Sequence, residues 1–93
     1  DTPLLVAVEE GNTETVKMLI TNGADVNVIG SHGGTALHGA AAFGFADIVK
    51  ILVEKGADQK VKDRRNNTPL DLAVSRGFKE IIEILSPVGG GTL

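Results

Sequence analysis

The chain has 93 residues, a formal net charge of −3, no cysteine and only three aromatic residues, all of them phenylalanine. This length suits one small domain with a modest core, and the lack of cysteine excludes a disulfide framework, a cysteine-based zinc site and a thiol nucleophile, which fits the cytoplasm or the nucleus. The charge argues against a protein built chiefly to bind nucleic acid, and no apolar run approaches the roughly 20 residues of a membrane helix, so neither partner is expected.

The first segment, TPLLVAVEEG, predicts a short helix that Gly11 ends. Thr2 suits the N-cap, and Pro3 suits the first helical position, where its missing N–H costs nothing. The next segment, NTETVKMLITNG, has apolar residues on one face and predicts a second helix with Gly23 as its stop. The polar, glycine-bearing segment ADVNVIGSHGG then predicts a hairpin-like turn.

The same unit recurs when the sequence is shifted by 33 residues. The coinciding positions include Thr2, Thr35 and Thr68; Leu4, Leu37 and Leu70; Ala7, Ala40 and Ala73; Gly11, Gly44 and Gly77; and Leu19, Leu52 and Leu85. A repeat of this length is typical of solenoid proteins. The chain is therefore predicted to be one domain over residues 1–93, with copies at residues 1–34, 35–67 and 68–86 and a tail at 87–93.

The three copies read TPLLVAVEEGNTETVKMLITNGADVN, TALHGAAAFGFADIVKILVEKGADQK and TPLDLAVSRGFKEIIEIL. Over residues 1–86 they resemble the ankyrin repeat, whose pattern runs T-P-L-H-x-A-A, G-H, V, L-L and G-A-D-V-N. The resemblance implies an all-α solenoid of stacked helix-turn-helix pairs joined by β-hairpin-like loops. It also implies a non-catalytic protein–protein interaction module without a cofactor, and the alternative is a structural or scaffold spacer within a longer ankyrin array.

The middle copy opens with TALHGAAAFGF, a first helix that Gly44 ends and whose alanines permit close helix packing. Gly39 fills a slot held by Val6 and Leu72 in the other copies, and it is a tolerated defect, room for a bulky neighbour or a deliberate hollow beneath the surface. The resemblance implies that His38 bonds to the Thr35 hydroxyl and to the backbone of the adjoining hairpin. The rival interpretation of His38, a catalytic base or metal ligand, lacks partners at a suitable spacing.

The resemblance also implies a concave binding face. Its positions, transferred by register, are Glu9, Glu10, Ser31, His32, Gly34, Ala42, Phe43, Arg64, Arg65, Asn67, Ser75 and Arg76. Residues 1–49 hold one lysine and six acids, net −5, and residues 50–93 hold eight bases and six acids, net +2. We therefore expect an acidic or amphipathic protein or peptide to bind with its negative end over the arginines. The alternatives are that the run at residues 62–65 only solvates a turn, that the cluster at residues 60–65 binds nucleic acid, or that Phe43 packs against a hairpin.

The segment LITNGADVN is similar to the context in which ankyrin-repeat asparagines are hydroxylated, because Leu19 lies eight residues before Asn27 and Asp25 two before it. The alternative is that Asn27 only bonds across the hairpin.

The ends of the stack must shield their outer faces. Leu5 and Val6 are expected to be poorly covered, which would require a longer parent protein or a helper contact. Pro87 is expected to end the last helix and the glycine-rich tail to be flexible. The domain is expected to be a monomer or a part of a larger protein.

Overall fold

The computed structural model describes residues 2–31 and 33–86, which form six helices. The predictions for His32 and for the tail at 87–93 lie outside these residues. The helices are α1 (Pro3–Glu10), α2 (Thr13–Thr21), α3 (Ala36–Phe43), α4 (Ala46–Glu54), α5 (Pro69–Arg76) and α6 (Lys79–Leu85). The described part of the chain has no strand beyond one antiparallel bridge between Ile29 and Thr35.

The predicted boundaries of the first helix are confirmed. The Thr2 hydroxyl accepts a hydrogen bond from the Leu5 N–H at 3.3 Å, and Pro3 is the first helical residue. Gly11 ends the helix with φ at +71°, a left-handed conformation that costs glycine nothing. Thr68 begins α5 in the same way, with its hydroxyl accepting from the Asp71 N–H.

The second helix also ends as the sequence predicts. Its last helical residue is Thr21, and Gly23 follows with φ at +97°. The Gly23 N–H donates to the Ile20 carbonyl at 3.0 Å, and the Ala24 N–H donates to the Leu19 carbonyl at 2.9 Å. These two bonds are those of a Schellman motif, which satisfies the last carbonyls of a helix.

The helices form two layers that repeat along the stack. Helix α3 packs between α1 and α5, whereas α4 packs between α2 and α6 and covers α3 from behind. The core lies between the layers and is aliphatic, with alanine wherever first helices of neighbouring copies approach each other. Its most deeply buried members include Leu4, Ala7, Val8, Val16, Ala36, Leu37, Ala40, Ala41, Ile48, Val49, Leu52, Ala73 and Ile81.

One phenylalanine ring packs at each junction between neighbouring copies, Phe45 at the first and Phe78 at the second. A Cβ atom on Gly11 would lie 2.9 Å from Phe45 Cζ, and one on Gly44 would lie 3.0 Å from Phe78 Cζ. Each ring therefore packs directly on the glycine that ends the preceding first helix, so these two glycines serve the stacking as well as the turn.

One expectation about the first copy is wrong. Leu5 is buried at 8% exposure, since it lies on the side of α1 toward Gly30 and Gly34 and not at the open end. Val6 does lie on the open side and is 41% exposed. At the opposite end Val74 is 57% exposed, although its equivalents Val8 and Ala41 are fully covered by the copy that follows them.

Candidate functional site

Two loop tips stand beside the first helices. The first tip is residues 30–34 and the second tip is residues 63–67, and the shift of 33 superimposes their backbone bonds. The Gly30 N–H donates to the Gly34 carbonyl, and the Asp63 N–H donates to the Asn67 carbonyl, both at 2.9 Å. The fourth residue of each tip has a positive φ, +81° at Gly33 and +68° at Asn66.

The carboxylate of Asp63 closes the second tip. Its Oδ1 accepts the N–H groups of Arg65 and Asn67, both at 2.9 Å. These bonds favour the charged form, the one from Asn67 most strongly, and they hold the pKa of Asp63 below its usual value against the opposing effect of partial burial. The second tip is therefore a turn built around a carboxylate.

His38 ties the second tip to α3, as the resemblance implies. Its Nε2 donates to the Asn67 carbonyl at 2.8 Å, and its Nδ1 accepts the Thr35 N–H at 3.0 Å and lies 3.1 Å from the Thr35 hydroxyl. The carbonyl can only accept and the amide can only donate, so these partners indicate a neutral ring with its proton on Nε2. His38 is 4% exposed and both of its nitrogens are engaged, which is the arrangement of a structural histidine.

A hollow opens between α1 and α3 where Gly39 has no side chain. A Cβ atom there would meet only Val8 Cγ1, at 3.5 Å. The hollow has a volume of about 270 Å³. It is lined mainly by apolar groups, with two carboxylates among its lining residues: Leu5, Val8, Ala42, Phe43 and Leu72, with Glu9 and Asp63. The sequence left this position open between a defect and a hollow, and the structure has the hollow.

An arginine cleft of about 530 Å³ adjoins the hollow. The two share Ser31, Ala42, Asp63 and Leu72, so they form one continuous surface, here called the front groove. Arg64 and Arg65 line the cleft from the second tip. The stem of Arg64 lies over the first tip, since a Cβ on Gly33 would be 2.8 Å from Arg64 Cγ.

A family model described as "Ankyrin repeats (3 copies)" matches residues 4–90. The chain belongs to the ankyrin repeat family. Ankyrin repeats are generally protein–protein interaction modules and generally non-catalytic. A search of curated proteins finds no match to the chain.

The front groove of this ankyrin domain brings together most of the predicted contact residues. Glu9, Ser31, Gly34, Ala42, Phe43, Arg64, Arg65 and Asn67 line its two parts. Gly34 and Asn67 are only half exposed, because both take part in the backbone bonds of the tips. Glu10, Ser75 and Arg76 are exposed on α1 and α5 and do not line the groove.

Phe43 stands at the end of α3 beside the hollow. Its side chain is 53% exposed, and its ring centroid lies 5.9 Å from that of Phe45 with the planes tilted by 49°. Phe45 in turn packs on Gly11, so Phe43 is supported from behind while one side of its ring is open. The periodic Phe45 and Phe78 are the residues that sequence reasoning missed, although their 33-residue spacing beside Gly44 and Gly77 is a signal for them.

Asn27 bridges two copies of the ankyrin repeat. Its side-chain Oδ1 accepts the Asp58 N–H at 2.7 Å, and its own N–H donates to Asp25 Oδ1 at 2.9 Å. The residue is nevertheless exposed. The structural role that the sequence offered as an alternative is present, although the bond reaches the loop of the next copy.

Neither metal ligands nor a membrane span are found among residues 2–31 and 33–86. In these ranges no three histidine, aspartate or glutamate side chains are grouped closely enough to hold a metal ion. No helix within them has the length and apolar character needed to cross a bilayer.

Proposed function

We propose that this ankyrin domain binds an acidic or amphipathic segment of another protein along the front groove, on the concave side of the stack. The observation that carries the proposal is the continuity of the groove. An apolar hollow and a cleft bearing two arginines share one wall, and an exposed aromatic ring stands beside them. Aromatic residues and arginine are the usual anchors of protein interfaces.

The charges along the groove support a bound segment with a direction. Glu9 lies at the first copy, whereas Arg64 and Arg65 lie at the second tip. In the described residues the ion pair that forms is Lys50 with Glu80, 3.4 Å apart on the layer of second helices. The arginines of the groove are thus available to carboxylates of a partner, and Arg76, outside the groove, is a further exposed basic residue at the end of α5.

Partner capture with matched variants tests the proposal. We expect a protein retained by the wild-type domain to be lost with Phe43→Ala and with the combined reversal of Arg64, Arg65 and Arg76 to glutamate. Met18→Ala is the control for Phe43, because Met18 is 57% exposed on α2. Lys79→Glu is the control for the charges, because it reverses an exposed charge at the start of α6. Equal retention by all variants would refute binding at the groove.

The scaffold alternative predicts a different result. A spacer within a longer ankyrin array would show no partner that depends on Phe43 or on the arginines. The same capture experiment therefore separates the two functions.

Hydroxylation of Asn27 is a second proposal, supported by its exposure and by the sequence around it. The bridge from Asp58 uses Oδ1 of Asn27 and not its β carbon, so a β-hydroxyl group does not remove the acceptor of this bond. Mass spectrometry of the natively produced protein tests it. A mass increase of one oxygen on the peptide that holds Asn27 is expected, and an unmodified peptide would refute the proposal.

A further inference from the structure

The hollow at Gly39 is not required by the backbone. Gly39 is not among the residues with positive φ, and a Cβ atom there would make an ordinary contact with Val8. Alanine would also suit the interior of α3 better, since glycine is a poor helix former. The equivalent slots hold Val6 and Leu72, so a large side chain is compatible with this helix position. The absence of a side chain at residue 39 therefore keeps space open and has no folding role.

We propose that this hollow receives one aliphatic side chain of the bound segment, flanked by a basic residue toward Glu9 and an acidic residue toward Arg64 and Arg65. The inference rests on the proposed function and names the chemistry of the segment that the front groove takes. The bound segment carries its three features in the order basic, aliphatic, acidic along the groove.

The size and lining of the hollow select its occupant. Pockets for drug-sized ligands usually enclose roughly 300–1,000 Å³, and the hollow encloses about 270 Å³. It therefore suits one side chain better than a whole small molecule. Val8, Leu5 and Leu72 contribute aliphatic surface, and the exposed ring of Phe43 borders it. An aliphatic side chain placed there loses contact with water on the part of its surface that faces these residues, which favours binding.

The charges flanking the hollow select the neighbours of that side chain. Glu9 and Asp63 are the charged residues that line the hollow, so its own field is negative. Arg64 and Arg65 line only the adjoining cleft. Because salt screens charges beyond about 8–10 Å, the bound segment responds to these local groups and not to the net charge of the domain. A basic residue is therefore favoured at the hollow and an acidic one at the cleft.

Selection from a phage-displayed library of random peptides tests the inference. The probe is the enriched peptides themselves, synthesised and titrated against the folded domain. We expect them to share an aliphatic residue between a basic and an acidic one. Gly39→Leu fills the hollow and should weaken their binding by about 10- to 100-fold, the loss expected for one buried aliphatic side chain. Gly39→Ala should cause a smaller loss.

Two variants serve as controls. Val6→Leu enlarges the same register position in the first copy, where the side chain is 41% exposed and outside the lining of the hollow, and it should leave the affinity unchanged. Glu9→Lys should shift the selection from basic to acidic residues at the first position. Gly39→Leu and Gly39→Ala both replace a helical glycine and can therefore change stability. Urea denaturation of both variants checks that a loss of binding is not a loss of folding.

The outcomes separate this inference from the proposed function. If the peptides lose binding with the arginine reversals and not with Gly39→Leu or Gly39→Ala, the groove binds its partner and the hollow is not the anchor site. If enriched peptides lack the central aliphatic residue, the inference is overturned in the same way. If the folded domain enriches no peptide and retains no partner, both proposals fall.

Discussion

The two loop tips share a closing backbone bond but differ at the positions of Asp63 and His38. Each tip closes with a 2.9 Å bond between its first and last residues and places a positive φ at the fourth. In the second tip Asp63 accepts two further N–H groups, and His38 donates to the Asn67 carbonyl. The first tip has Gly30 in place of Asp63 and Leu5 in place of His38. Glycine has no side chain and that of leucine has no polar atom, so neither residue can form such a bond.

The repeated backbone bonds of the tips and the side chains that support them are therefore separate properties of this stack. The bonds of Asp63 and His38 support the second tip, which carries the two arginines of the front groove. A charged side chain binds a partner more tightly when the loop that carries it is already ordered, because less conformational entropy is lost on binding.

Of the substitutions that test the difference between the two tips, replacing His38 should lower the free energy of unfolding the most. His38→Leu gives the second tip the residue that the first tip has, leaves the buried Thr35 N–H without its acceptor and removes the donor to Asn67. We expect a loss of about 2–4 kcal/mol in the free energy of unfolding, measured by urea denaturation. Amide exchange at Arg65 and Asn67 should accelerate. A loss below about 1 kcal/mol would show that the ring does not hold the second tip.

Replacing Asp63 should have a smaller effect that depends on pH. Asp63→Asn keeps the shape and removes the charge that two N–H groups stabilise, so we expect a loss of about 1 kcal/mol at neutral pH. The pKa of Asp63 is lowered in the folded state, so its contribution is complete above the unfolded pKa of about 3.9 and is lost as the pH falls through the folded pKa. The stabilities of wild type and variant should therefore converge below pH 4. A constant difference across that range would contradict the assignment.

Transferring the carboxylate to the first tip should stabilise the protein. Gly30 has no positive φ among the described glycines, so Gly30→Asp fits the backbone, and its carboxylate can accept the Gly34 N–H as Asp63 accepts that of Asn67. The substitution also lowers the entropy of the unfolded chain. We expect a gain of about 0.5–1 kcal/mol in thermal or urea unfolding and slower exchange of the Gly34 amide. Unchanged exchange would mean that the first tip cannot adopt the closed turn of the second.

The smallest change in stability is expected for Asn66→Gly, at the residue of the second tip that has a positive φ. Asn66→Gly gives the second tip the glycine of the first and should change the unfolding free energy by less than about 0.5 kcal/mol, because both residues tolerate φ near +68°. Asn66→Ala should cost about 1 kcal/mol, since its Cβ is strained there. Equal stabilities of the two variants in urea denaturation would show that the conformation of the tip does not depend on this residue.

The sequence predicted most of the local structure and part of the site. Thr2, Pro3, Gly11 and Gly23 mark helix ends through local bonds and dihedral angles, so their roles can be derived without a fold. The brace of His38 came from the resemblance to a family and is confirmed by its bonds to Thr35 and Asn67. The burial of Leu5 was not predicted, because it depends on where the next loop lies.

The sequence alone predicted the period of 33 residues and the ends of the helices, because helix ends depend on interactions between residues close in the chain. The packing of Phe45 on Gly11 and of Phe78 on Gly44 could be seen only in the tertiary structure. The same holds for the bridge from Asn27 to Asp58 and for the space at Gly39 beside the arginines. These contacts join different copies. Their geometry depends on how one copy is translated and rotated onto the next, and that relation is set by packing across the whole stack.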